Sequence, residues 1–348
     1  MKVLVASLTV GLFLSGGQTL ATKYTTERAL KYEISSSMTM ETTLVEMERD
    51  GEPVEAPGGR GGMKSETEYS EIHIDHVVAL EDGKPSKVKR TFEKVGGSSS
   101  MTFGEESRDS AIESPFSGIT LELTAAKDGI EVEVTEGKKP DGEGALEGHR
   151  LVSFLDGLLS DDAVEVDATW ELEKEAITRA MRFDLRKVLY PRPERTGEAG
   201  GGGGGRRGGG GMRGGASSML DDVDWKGTAK LISIDKEIDG VACSIIELKI
   251  EASGERELPA MRGGRGGAFG AEMALENTAK YEVHLTGTFA FANKEKRPVK
   301  LDLEGKMRIE TNNEFSGGGG SMKIHSVQEG KLEVVVECSE EAAKSEKK

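Results

Sequence analysis

The alternation that decides the fold runs through residues 30–44, LKYEISSSMTMETTL. Most even positions carry apolar side chains, and the odd positions carry polar ones. A period of two residues puts these two sets on opposite faces of an extended strand. The stretch therefore predicts a long half-buried β-strand whose buried face includes Met38 and Met40.

The same alternation recurs along the chain. It is found at 72–80, 119–123, 130–134, 231–234, 246–250, 281–291, 299–309 and 332–336. Within 72–80 it predicts a buried face made of Ile72, Ile74, Val78 and Leu80. Asp-Gly turns at 128–129 and 239–240 favour hairpins. We therefore expect a mainly β protein of long, curled antiparallel meander sheets in two halves.

Two segments near the middle have helical periodicity instead. Residues 146–160 and 174–189 each carry apolar side chains along one stripe, which predicts two amphipathic helices. A short strand around 164–170 separates them. The helices have to bury their stripes, and the apolar face of the sheet is the surface available.

Four tracts are rich in glycine, three of them with arginine, at 57–62, 198–215, 262–267 and 316–321. Ordering a glycine run costs entropy that no side chain recovers, so we expect flexible loops. The longest tract defines a linker at 191–217 between β regions at 22–190 and 218–339. Residues 340–348 are predicted to be a charged tail.

The N-terminus predicts export. Lys2 precedes an apolar run at 3–16, and Thr19 and Ala21 are the small residues that a signal peptidase requires. We expect a cleaved signal peptide at 1–21 and a mature chain in the periplasm, at the cell surface or outside the cell. The apolar run is too short to span a bilayer, so we expect no transmembrane anchor.

Charge limits the possible partners. The chain has 62 acidic and 46 basic residues and a net charge of −16, which disfavours nucleic acid. The arginines of the glycine tracts are candidates for contact with anionic polysaccharide or an envelope surface. They are Arg60, Arg206, Arg207, Arg213, Arg262 and Arg265. The alternative is a solubilising loop that has no partner.

No catalytic motif is present. The sequence lacks a GxSxG elbow and a P-loop, and it predicts no cofactor or metal site. The strand around His73 turns His76 to the opposite face, so too few ligands converge for zinc. We expect all five histidines to be solvated or singly paired. Cys243 and Cys338 are equally consistent with a disulfide and with two buried thiols.

The chain resembles the lipoprotein-carrier (LolA-like) half-barrel superfamily in two respects. Its long curled strands are interrupted by central helices, and residues 164–172 (VEVDATWEL) are similar to a segment of such exported β proteins. That resemblance implies a concave sheet and helices that enclose an acyl chain. The implied lining is Met38, Met40, Leu155, Leu158 and Met181, and the alternative is that these residues are ordinary core.

The sequence thus favours a non-enzymatic binding or carrier protein for an apolar or lipid-like ligand. An envelope or matrix protein that uses its Arg/Gly loops on anionic polymer is the alternative. A hydrolase with an unrecognised site ranks third.

Overall fold

The computed structural model describes residues 17–55, 62–142, 144–191, 220, 223–257, 274–317 and 320–342. Most of each Arg/Gly tract lies outside these residues. In the tract at 316–321, strand pairing continues to Gly317 and Gly320, so both ends of that tract belong to a hairpin.

Strands dominate the described part of the chain, which confirms the mainly β prediction. Thirteen strands form one antiparallel sheet. They are β1 (Arg28–Arg49), β2 (Glu52–Val54), β3 (Met63–Glu81), β4 (Lys84–Phe103), β5 (Glu106–Glu113), β6 (Thr120–Ala126), β7 (Gly129–Glu136), β8 (Thr169–Leu172), β9 (Trp225–Ile238), β10 (Val241–Glu257), β11 (Ala274–Ala292), β12 (Arg297–Gly317) and β13 (Gly320–Ala342). Two α-helices accompany them, α1 (Lys174–Ala180) and α2 (Phe183–Leu189).

The strand order is β7-β6-β4-β3-β1-β13-β12-β11-β10-β9-β8, with β2 on β1 and β5 on β4. The chain begins at the centre, meanders outward to one edge, crosses to the opposite edge, and meanders back. The first and last strands therefore pair, and regions 22–190 and 218–339 share one sheet. The sheet is open, because β7 and β8 each have one free side.

Two segments, one before and one after β8, bury one face of the sheet. We call residues 146–160 and 174–189 the cover, and the face beneath them the inner face. Phe154, Leu155, Leu158, Ile177 and Met181 of the cover pack in one cluster with side chains of β1 and β9 to β13. A second cluster joins α2 to β3, β4 and β6.

The prediction of a helix at 146–160 is wrong. This segment is a series of turns with a single 3-10 turn at Asp156–Leu158. Gly148 has a left-handed φ of +78°, which an α-helix does not accommodate. The amide of Ser153 donates to the hydroxyl of Tyr24, 2.7 Å away, so tertiary contacts replace the helical hydrogen bonds.

The second predicted helix is present but divided. Arg182 has a left-handed φ of 60°, and it separates α1 from α2. Both helices of the fold thus come from the segment 174–189. Between the cover's two parts, Val164 bridges Gln18, and β8 begins only at Thr169.

The predicted buried face of β3 is reversed. Register sets Glu71 and His73 opposite Ile34 and Tyr32 on the inner face. Glu71 and His73 are buried, whereas Val78 and Leu80 are 44% and 38% exposed. The inner face of β3 therefore carries charge.

Glycines allow neighbouring strands to approach closely. A Cβ atom at Gly305 would lie 1.9 Å from the carbonyl oxygen of His284, and one at Gly287 would lie 1.9 Å from that of Asp302. The backbones at these two points therefore leave no room for a side chain. None of the helices in the described residues is long and apolar enough to cross a bilayer.

Candidate functional site

The five predicted ligand-lining residues come together in the structure. Met38, Met40, Leu155, Leu158 and Met181 belong to one core cluster between the sheet and the cover. They are between 0% and 8% exposed. Three different parts of the chain supply them, and they are packed as core residues.

The remaining residues that the sequence singled out are six arginines and two cysteines. Arg60, Arg206, Arg207, Arg213, Arg262 and Arg265 all lie outside the described residues. The two cysteines are free and belong to different core clusters. Burial raises the pKa of Cys338 to about 12 and also raises that of Cys243, so both thiols are poor nucleophiles.

An ion-pair network that the sequence did not reveal lies beneath the cover. Glu71, His73 and Asp75 follow one another on the inner face of β3, because alternate residues of a strand share a face. Arg90 on β4 and Arg182 between the two helices reach these carboxylates. All five side chains are buried or nearly so.

Each carboxylate is held by an arginine fork. Arg90 donates from Nε to Asp75 Oδ1 at 2.7 Å and from Nη2 to Oδ2 at 2.6 Å. Arg182 donates to the two oxygens of Glu71 at 3.2 and 2.6 Å. Burial alone would raise the pKa of both carboxyls, but the guanidinium groups outweigh it and hold each pKa below its usual range.

His73 lies between these two pairs. Its Nδ1 is 2.8 Å from Glu71 Oε1, off the line of a good hydrogen bond, and its ring stacks on Tyr32 at 4.9 Å. Burial lowers the pKa of His73 despite the two carboxylates. The imidazole is therefore neutral, and two anions and two cations balance.

His149 of the cover is also buried. It packs between Phe92 and Phe116, with ring centroids 5.9 and 5.7 Å away. Within the described residues, neither of its ring nitrogens has a hydrogen-bond partner. Burial and the nearby Arg90 and Arg182 lower the pKa of His149 to about 3. The expectation of solvated or singly paired histidines is thus wrong for His149.

A second polar junction fastens the cover to the N-terminal segment. Tyr24 Oη and Thr22 Oγ1 donate to the two oxygens of Asp156, the second at 2.6 Å. Burial raises the pKa of Asp156, and these two hydrogen bonds oppose that rise. Burial and Asp156 also raise the pKa of Tyr24.

The ion-pair network and the two buried histidines belong to the interior between the sheet and the cover. It gathers histidines, carboxylates and shifted pKa values, which are typical of hydrolytic sites, but both carboxylates are occupied and His73 is 0% exposed. Its contacts tie the cover to the sheet. The sequence signal was the run Glu71, His73, Asp75 at alternate positions, whose arginine partners are distant in sequence.

Open concave surfaces occur on the outer face, opposite the cover. The larger groove, which we call the serine groove, has a volume of about 480 Å³. Its lining is Ser35, Ser36, Ser37, Glu68, Tyr69, Ser70, Lys94, Gly97, Ser98, Glu333 and Val335. A smaller groove of about 340 Å³ includes Glu48, Asn312, Lys323 and His325 at the far end of β1, β12 and β13.

Two rows of paired residues make the floor of the serine groove. One row runs Val335, Ser35, Ser70, Gly96 across β13, β1, β3 and β4. The other runs Glu333, Ser37, Glu68, Ser98 across the same strands. The first row forms the deepest part of the groove, because the side chains of Ser35 and Ser70 are small.

The polar groups of this groove are available to a ligand. In the described part of the chain, no ion pair engages Glu68, Lys94 or Glu333. The Ser70 hydroxyl has one long bond, 3.3 Å, to the carbonyl of Gly96. Serine hydroxyls both donate and accept, whereas carboxylates only accept.

The grooves do not indicate a metal. No group of three His, Cys, Asp or Glu side chains suited to a metal ion occurs among the described residues. The polar groups of the serine groove include hydroxyls, carboxylates and one ammonium, all of which form hydrogen bonds.

Comparison with known proteins identifies no family for this chain. No protein-family model and no curated protein matches the chain. A solved outer membrane channel from Pseudomonas putida F1 matches with 6% identity, over 90% of this chain and 97% of that chain, at a TM-score of 0.14. A TM-score this low does not indicate a shared fold.

Proposed function

We propose that the protein is a non-enzymatic binding protein whose ligand lies in the serine groove and is a neutral, hydroxyl-rich molecule of the saccharide class. One observation carries the proposal: a groove of about 480 Å³ gathers serine hydroxyls and unpaired charged groups from four neighbouring strands. This volume lies within the range of small-ligand sites.

The chemistry of the lining selects the ligand class. Sugar hydroxyls donate to carboxylates, as at Glu68 and Glu333, and they both donate to and accept from serines. Lys94 supplies a further donor. A purely apolar ligand would leave these groups unsatisfied, and an anionic one would be repelled by two carboxylates.

The test is a calorimetric titration with three neutral hexasaccharides, maltohexaose, cellohexaose and chitohexaose. At least one should bind the wild-type protein. The variant Ser35→Val/Ser70→Val loses two hydrogen-bonding groups worth ~1 kcal/mol each. Its dissociation constant should therefore rise by about tenfold or more.

The matched control is Thr288→Val, an exposed strand position on β11 outside the groove. Valine is favoured in strands, so all three substitutions preserve the fold. No binding by any hexasaccharide, or equal binding by both variants, contradicts the proposal. Binding of an acidic polysaccharide that survives Ser35→Val/Ser70→Val would instead support the Arg/Gly loops as the binding element.

A carrier function for an apolar ligand is the second candidate. It is favoured by four methionines, Met38, Met40, Met181 and Met307, in the core cluster beneath the cover. Methionine is flexible enough to repack around a guest. Organic extraction of the purified protein followed by mass spectrometry tests it. A stoichiometric lipid supports a carrier, and an empty extract from folded protein opposes one.

A further inference from the structure

The N-terminal segment of the described chain is part of the fold. Leu20 is 1% exposed and belongs to the main core cluster. The amide of Gln18 donates to the carbonyl of Val164 at 2.7 Å, and the amide of Val164 donates back at 3.0 Å. These contacts lie within the predicted signal peptide at 1–21.

Further bonds fix the same residues to a distant hairpin. Gln18 Nε2 donates to Asn293 Oδ1 at 2.6 Å, and Lys296 Nζ donates to the carbonyl of Thr19 at 2.8 Å. Cleavage after Ala21 would remove all four residues from 18 to 21. The core would lose Leu20, and Val164, Asn293 and Lys296 would lose partners.

We propose that the signal peptide is cleaved between Gly17 and Gln18, so that the mature protein begins at Gln18. Signal peptidases require small residues at positions −3 and −1. For this bond they are Ser15, near the end of the apolar run at 3–16, and Gly17, directly after that run. The bond before it places Leu14 at −3, which is too large.

The new terminus is compatible with the structure. Gln18 still donates to Val164 through its α-amino group, and its side chain still reaches Asn293. Gly17 is exposed and makes none of the hydrogen bonds given above for Gln18 and Thr19. This proposal rests on the prediction of export and is independent of the ligand in the serine groove.

The test expresses the full chain in a Gram-negative bacterium and measures the intact mass of the purified periplasmic protein. A chain beginning at Gln18, with or without loss of ammonia through cyclisation of that glutamine, is the expected result. A chain beginning at Thr22 overturns the cleavage site. An unprocessed chain that begins at Met1 overturns both the cleavage site and the export prediction.

Matched variants sharpen the result. Gly17→Leu places a large residue at −1 and should block cleavage. Ala21→Leu should still give a mature chain that begins at Gln18. The reverse pattern overturns the proposal. Purified chains that begin at Gln18 and at Thr22 should differ in thermal unfolding, with the shorter one melting at the lower temperature.

Discussion

At the scale of single residues, the interior is held by partners that compensate one another. Glu71 and Asp75 remain ionised beneath the cover only because Arg182 and Arg90 lie against them. A buried charge that loses its partner is far more costly than the pair is favourable. The network therefore makes attachment of the cover sensitive to single substitutions.

We predict that Arg182→Met lowers the free energy of unfolding by ~3–5 kcal/mol, because Glu71 is left buried and unpaired. Chemical denaturation measures the change. Adding Glu71→Leu should restore most of the loss, since an apolar pair replaces the ions. Equal losses in the single and double variants would show that the ion pair does not hold the cover.

We also predict that stability falls as pH falls below about 6.5. Because the folded-state pKa of His149 is lowered to about 3, the unfolded chain binds a proton in this window that the folded chain excludes. His73, with its lowered pKa, contributes in the same direction.

One such group contributes at most ~1.4 kcal/mol per pH unit. The variant His149→Phe should therefore show a shallower dependence of unfolding free energy on pH between roughly 6.5 and 5.5, above the range in which most carboxylates of unfolded chains titrate. An unchanged slope would mean that His149 is accessible to protons in the folded chain.

At the scale of elements, long strands were predictable and the cover was not. Alternation is local, so β1 and the hairpins around 128–129 and 239–240 follow from sequence alone. The segment 146–160 has a helical stripe, yet its backbone bonds go to Tyr24 and its own turns. Those partners are set by the tertiary fold, which periodicity does not report.

The reversed face of β3 has the same origin. Ile72 and Ile74 are the apolar set, and burial of apolar side chains is the usual guide. This rule predicts the wrong buried face for β3, because Arg182 stabilises the buried Glu71 from a position 111 residues away in sequence. The serine groove was equally hidden, since it needs four strands in a register that sequence does not give.

The close approach of strands at Gly305 gives a prediction at this scale. Gly305→Ala places a Cβ atom 1.9 Å from a backbone oxygen, so the strands must separate. We expect a loss of more than about 1 kcal/mol in unfolding free energy. Thr288→Ala, on the adjacent strand at an exposed position, is the control. Similar small losses in both would argue against close backbone contact at Gly305.

At the scale of the whole molecule, pairing of β1 with β13 unites the two halves. Region 22–190 contributes the strands on one side of this pair and also β8 at the opposite edge, and region 218–339 contributes β9 to β12 between them. We predict one cooperative transition in calorimetry, with equal calorimetric and van't Hoff enthalpies. Two resolved transitions would mean that the halves unfold as separate domains.

The same architecture separates two faces with different roles. The inner face is closed by the cover and its ion pairs, and the outer face carries the serine groove. We propose that the outer face binds a hydroxyl-rich ligand while the inner face stabilises the fold.

The most direct test is to follow backbone amide chemical shifts by NMR while adding the tightest-binding neutral hexasaccharide. We expect the largest changes in chemical shift at Ser35, Ser37, Ser70 and Ser98, with smaller ones at Glu68 and Glu333. Shifts confined to the groove at Asn312 and His325, or to the cover, would contradict it.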